Sequence, residues 1–149
     1  METDKRMSRD ERRIQILESA MKVFTEKGYA NSTTLEIAKS AGISEVTLFR
    51  YFSSKKEIFL EGIEPILFGS LKKALDNSNG CSLEEKLVYM LTERINYISE
   101  HREIIKLILK EASLLKEVDN EGFIERTLQL IKNMLKEKIL EWLNKEEEV

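Results

Sequence analysis

Between Arg9 and Lys27 the apolar residues Ile14, Leu17, Met21 and Phe24 recur at spacings of three and four, which predicts a helix that Gly28 stops. Met1 to Ser8 is a polar arm ahead of it. Thr33 and Glu36 form a capping pair that opens a short second helix ending near Gly42, since each side chain can satisfy the other's free backbone N–H. A third helix is expected to start at Ser44, with Leu48 and Phe52 on its core face, and to stop near Ser53-Ser54. Ser54 and Glu57 open a fourth helix, which meets Pro65 and fades in the linker Asp76-Asn77-Ser78-Asn79-Gly80. Ser82 and Glu85 open a fifth helix, with Leu87, Met90, Leu91, Ile95 and Ile98 as its stripe. A sixth helix, Arg102 to Leu115, is apolar nearly all round through Ile104, Ile105, Leu107, Ile108 and Leu109, and is expected to be central. The last, Asn120 to Glu146, places Ile124, Leu128, Ile131, Leu135 and Trp142 at spacings of three, four and seven. The expected fold class is therefore all-α, with about seven helices: an N-terminal three-helix head containing a helix-turn-helix, then a helical body.

Composition narrows the class without changing it. Of 149 residues, 42% are hydrophobic and 34% charged, with one proline and six glycines, too few turn residues for a sheet-rich fold. No apolar run approaches the roughly 20 residues that span a bilayer, and the polar N-terminus lacks a signal peptide's apolar stretch, so the expected location is cytoplasmic with no membrane partner. The lone Cys81 has no disulfide partner and no metal-ligand neighbour. The net charge of −3 conceals an asymmetry: residues 1–60 carry 11 basic against 9 acidic side chains, leaving 13 against 18 of the chain totals 24 and 27. Any contact with DNA is thus expected from the front of the chain.

An enzyme would need parts that this sequence does not offer. It has no glycine-rich phosphate loop and no Cys/His cluster, and its one histidine, His101, lies among charges at a helix junction. Glutamates such as Glu146-Glu147-Glu148 lie in helix-surface runs rather than among apolar residues. No catalytic residue, metal or cofactor is expected.

The second helix, the turn Ala41-Gly42-Ile43 and the third helix have the size of a helix-turn-helix, whose second helix enters the major groove of double-stranded DNA. Four linked segments sharpen this: Phe24-Thr25-Glu26-Lys27-Gly28-Tyr29, Thr33-Thr34-Leu35-Glu36-Ile37-Ala38, Ala41-Gly42-Ile43-Ser44, and Thr47 through Lys55. In this order and spacing they closely resemble the TetR/AcrR family of transcriptional regulators, over about Arg9 to Leu60. Residues 61–149 resemble it only as an apolar helical body.

The resemblance implies a DNA-binding domain over 9–60 and a ligand-binding and dimerisation domain over 61–149, the latter expected to be either short by nature or incomplete at its C-terminus, because family members generally continue through two further helices. It implies phosphate contacts from Thr34 and Tyr51, and charge or a backbone N–H from Lys55. Ser44, Glu45, Val46, Thr47 and Arg50 would face bases or nearby backbone: Glu45 can accept from cytosine N4, Val46 and the Thr47 methyl can pack on thymine methyls, and Arg50 can reach guanine or phosphate. The family usually has Tyr where this chain has Phe49, which removes a hydroxyl. Phe49 is left between DNA and the body, and Thr33 between a cap and a contact. Arg9, Arg12 and Arg13 are either phosphate or minor-groove contacts or a solvated face.

By the same resemblance the chain would be a homodimer on a palindromic operator, a repressor released by a small apolar effector that binds the DNA-incompetent arrangement more tightly. Phe59, Phe68, Met90, Tyr97 and Leu107 are the candidate pocket residues, with plain core as the alternative for each. Leu128, Leu135 and Trp142, a heptad apart, either form a partner surface or face the fifth and sixth helices. A DNA-binding interaction or nucleoid-associated protein, with the same head and no effector, is the alternative function.

Overall fold

The computed structural model describes residues 6–77, 82–111 and 122–147, and among these every regular element is helical. Helix α1 (Arg9–Lys27) begins with a full capping box, the Ser8 hydroxyl accepting from Glu11 N–H while Glu11 accepts from Ser8 N–H at 2.7 Å. It ends at Gly28, whose φ of +80° an L side chain would resist. Its inward face is Ile16, Ala20, Met21, Val23 and Phe24. Ile14, expected on that face, is exposed.

Helix α2 (Thr34–Ser40) opens with the expected Thr33/Glu36 box. It closes in a Schellman arrangement, with Ile43 N–H donating to the Ala38 carbonyl and Gly42 N–H to that of Lys39. Gly42 takes φ +69° to make this turn. Helix α3 (Glu45–Leu48) starts at the Ser44 cap but is shorter than its pattern suggests. Arg50 and Tyr51 N–H donate to the carbonyls three residues back, so the chain tightens toward Phe52 where a longer α-helix was expected.

Helix α4 (Lys55–Glu64) runs into a π-helical turn at Pro65–Gly69 and on into α5 (Ser70–Asp76), a continuous rod with a defect at its proline. Proline has no N–H to donate to the preceding turn, and a π turn is one way the backbone absorbs the mismatch. The expected Ser54/Glu57 pair is half made: Ser54 caps Glu57 N–H, while the Glu57 carboxylate accepts from Ser53. Helix α6 (Leu83–Glu100) has its Ser82/Glu85 box and is followed by α7 (Arg102–Lys110) and α8 (Phe123–Glu147). With α4 and α5 taken as one rod, the described residues form seven helices. Residues 78–80, Cys81 and the segment 112–121, which covers the expected end of the sixth helix and the start of the last, lie outside the described residues.

Two cores result. The first joins α1 to α4 with α7: Ile16, Phe24, Ile37, Leu48, Phe52, Ile58, Phe59 and Ile63 are buried in it, and Leu107 seals it from the body side. It therefore crosses residue 60. Phe59 meets Phe24 edge-on at 5.1 Å between ring centroids and Tyr29 at 4.9 Å. The second core seats Trp142 against Leu71 and Leu75, with Leu87, Met90, Ile131 and Leu135 half-buried around it.

Two expectations for the body change. The sixth helix of the sequence, α7, is not central: it lays one face on the first core and leaves Leu109 70% exposed. On α6 only Leu87 and Met90 of the expected stripe turn toward the second core, and Leu91, Ile95 and Ile98 are exposed. Apolar spacing alone marked these helices as having faces to bury without saying which face meets which neighbour. Leu128 is likewise exposed while Trp142 is buried, so the heptad trio does not share one environment.

Candidate nucleic-acid interface

The Schellman turn at Gly42 aims the first turn of α3 away from the core. Leu48 is fully buried, which fixes the rotation of the helix, and the opposite side carries Val46 at 68% exposure with Ser44 and Arg50 also exposed. Phe49 is 48% exposed and lies outside the cluster that holds Leu48 and Phe52. Ser44 accepts from Thr47 N–H, and the two hydroxyls lie 2.8 Å apart. Glu45 and Thr47 are half-buried between these exposed positions.

Thr34 and Glu45 are brought together across the turn, the threonine hydroxyl donating to the carboxylate at 3.0 Å. This contact orients the Glu45 carboxylate. A phosphate oxygen needs a donor, so the Thr34 O–H cannot serve Glu45 and a phosphate at once. Thr33 is exposed and occupied as the α2 cap.

Tyr51 packs half-buried on the first core beneath Arg9, whose guanidinium carbon is 5.3 Å from the ring centroid. Lys55 turns inward. Its Nζ donates to the Tyr29 and Ser32 carbonyls at 2.8 and 3.0 Å and lies over the Tyr29 ring, and burial pushes its pKa down. Of the two contributions expected from Lys55, the ammonium is thus spent on the loop after α1, leaving its backbone N–H at the start of α4.

Arg13, expected with Arg9 and Arg12 as a phosphate or minor-groove contact or a solvated face, is instead engaged within the protein. Its Nη1 donates to the Tyr51 carbonyl at 2.6 Å, its Nη2 to Glu61 at 2.6 Å, and its guanidinium carbon stands 4.3 Å from the Phe52 ring centroid. Burial raises the Glu61 pKa against the opposing pull of Arg13. An arginine whose i+38 and i+48 neighbours receive its protons leaves no local signal in a sequence.

The five candidate pocket residues are divided between two cores and the π turn. Phe59 and Leu107 are buried in the first core, Tyr97 packs on its edge and stacks on His101 at 4.0 Å, Met90 borders the second core, and Phe68 is half-buried in the π turn. A separate apolar groove of about 640 Å³ lies between α1, the Pro65 turn and α7, with Leu17, Met21, Ile66 and Ile104 on its walls.

A short helix pair joined by a left-handed glycine, with the outer side of its second helix bared, defines a helix-turn-helix protein. Residues 16–61 match the model of the bacterial regulatory proteins of the tetR family. The chain belongs to that family. It is 30% identical over 106 residues to the uncharacterized HTH-type transcriptional regulator YvkB of Bacillus subtilis, covering 71% of this chain and 55% of that one. It is 32% identical over 127 residues to the nucleoid occlusion factor SlmA of Vibrio atlanticus, covering 83% and 62%. Among solved structures, a Clostridium perfringens "putative fatty acid metabolism regulator" superposes with a TM-score of 0.64 at 30% identity, covering 85% of this chain and 71% of that one. The chain thus spans about half the length of YvkB and under two thirds of SlmA.

Proposed function

We propose that the chain is a sequence-specific DNA-binding transcription regulator that reads double-stranded DNA with α3 and works in the cytoplasm. The observation that carries this reading is the exposed apolar and polar surface at the start of α3, where Val46 and Phe49 face outward although Leu48 and Phe52 beside them are wholly buried. Ser44, Glu45, Val46, Thr47, Phe49 and Arg50 meet base edges or adjacent backbone, while Thr33, Tyr51 and the N–H of Lys55 hold phosphates on either side, Thr34 joining them only when its hydroxyl turns away from Glu45. Residues 9–60 do the reading, and residues 61–149 supply dimerisation and sensing. The protein acts as a homodimer on a palindromic operator and as a repressor released by a small apolar effector. Selection of bound duplexes from a random pool tests this: an inverted repeat with half-sites about one helical turn apart supports it, and no enrichment over the input pool refutes it.

A second reading keeps the head without the effector, as a nucleoid-associated or interaction protein, and the likeness to a nucleoid occlusion factor over 127 residues favours considering it. Thermal stabilisation across a panel of lipophilic compounds separates the two, since an effector site gives saturable shifts. Chromosomal occupancy separates them too: a few promoters for a repressor, many scattered sites for a nucleoid factor.

A further inference from the structure

Helix α3 is a single turn, and so short a helix does not stand on its own hydrogen bonds. Its start is held by the Ser44 cap and the Gly42 turn, as described above. Its far end is held from outside. Arg9 and Arg13, one turn apart on α1, donate to consecutive carbonyls where α3 runs out, Arg9 to that of Arg50 at 3.4 Å and Arg13 to that of Tyr51 at 2.6 Å. Cations favour the carbonyl end of a helix, where the backbone leaves partial negative charge.

Arg13 differs from Arg9 in having a second attachment. Its Nη2 reaches both oxygens of Glu61, so the same planar fork that holds the end of α3 is hydrogen-bonded to α4, with the Glu57 carboxylate 3.9 Å away adding only a longer ion pair. The Phe52 ring closes its flat face. Both terminal nitrogens of this guanidinium thus have partners within the protein, although a third of the side chain is exposed. We infer that Arg13 is a positioning residue: it ties the carbonyl end of the recognition helix to α4 and so sets the angle at which that helix meets DNA. The inference rests on the DNA-reading proposal for its consequence, but the tie itself does not.

Three variants of the full chain test it: Arg13→Gln, Arg13→Lys and Glu61→Gln. In the free protein, amide hydrogen exchange at Phe49 to Phe52 is expected to accelerate by about tenfold or more in Arg13→Gln, as loss of a charged hydrogen bond implies. Arg13→Lys keeps the charge without the fork and is not expected to restore protection. Unchanged exchange at these amides overturns the inference. On duplexes selected by the wild type, Arg13→Gln is expected to lower the ratio of selected to random-sequence affinity by about tenfold, with the salt slope of binding unchanged. A slope reduced by about 0.9, with equal loss on both duplexes, would instead make Arg13 a phosphate contact and overturn it. If Arg13→Gln does not fold, Arg13→Lys and Glu61→Gln read the same two quantities. If the wild type selects no duplex, the DNA-reading proposal fails, and the exchange measurement still decides the tie.

Discussion

Replacing Gly42 with alanine isolates one cause of the reading unit's shape. Gly42 holds φ +69° between α2 and α3, and a Cβ built there meets nothing within 4 Å. The cost of Gly42→Ala is therefore backbone strain without a clash, about 1–2 kcal/mol for an L residue in the left-handed region. Asparagine tolerates that region better, so Gly42→Asn is expected to cost less than alanine. With a midpoint shift of about 2–4 °C per kcal/mol for a chain near this size, Gly42→Ala melts about 2–8 °C below the wild type. Urea titration followed by circular dichroism measures the difference directly, with an unchanged slope showing that the folded state keeps its compactness. Wild-type stability in Gly42→Ala, or greater damage from asparagine than from alanine, would refute the claim that left-handed strain sets this turn.

Other outcomes follow from the same geometry. Thr47→Ala is expected to change which bases are preferred, whereas Tyr51→Ala weakens binding to all sequences alike; duplex selection repeated with each variant checks both. Thr34→Ala frees the Glu45 carboxylate, so it is expected to loosen preference at the base facing Glu45, as competition among single-base variants would show, whereas an equal loss on every sequence would mean that the hydroxyl leaves Glu45 for a phosphate on binding. Phe24→Ala, emptying the centre of the aromatic cluster, is expected to cost about 3–5 kcal/mol in urea unfolding.

Acid destabilises the fold through its bonded carboxylates. The hydrogen bond from Lys27 holds Glu36 below the ordinary glutamate range. Burial pushes Glu57 up, but the bonds from Ser53 bring it to a net position below that range. A carboxyl lowered on folding contributes stability that is present at neutral pH and lost as pH falls through its folded value. Glu61, raised on folding, acts in the opposite sense and offsets part of this loss. Urea midpoints are therefore expected to fall on the acid side of the glutamate range, and less steeply in Glu36→Gln; an equal fall in that variant contradicts the assignment.

The local rules of the sequence carried helix starts and stops well in head and body alike. The Ser82/Glu85 and Thr33/Glu36 boxes form where the residue types and the spacing of three require them, and Gly28 and Gly42 stop helices because only glycine takes those angles cheaply. The pairing of Thr34 with Glu45 and the inward turn of Lys55 could not be read, because both depend on how α2, α3 and α4 cross rather than on neighbouring residues. Arg13 is the extreme case, with partners 38 and 48 positions away. In the body, continuous apolar spacing identified α6 and α7 as helices, but it put Leu91, Ile95 and Ile98 on the buried side of α6 and gave α7 a central place that it does not take. Ile95 and Leu109 satisfy the periodicity as well as Leu87 and Leu107 do, and only packing distinguishes them.

Whether α3 and its flanking caps form the surface that meets DNA is read by amide chemical-shift mapping during titration of the full chain with a selected duplex. The largest shifts are expected at Thr33 and Thr34, from Ser44 to Tyr51, and at Lys55, saturating together. Shifts concentrated on α6 and α8 with α3 unmoved would contradict that assignment.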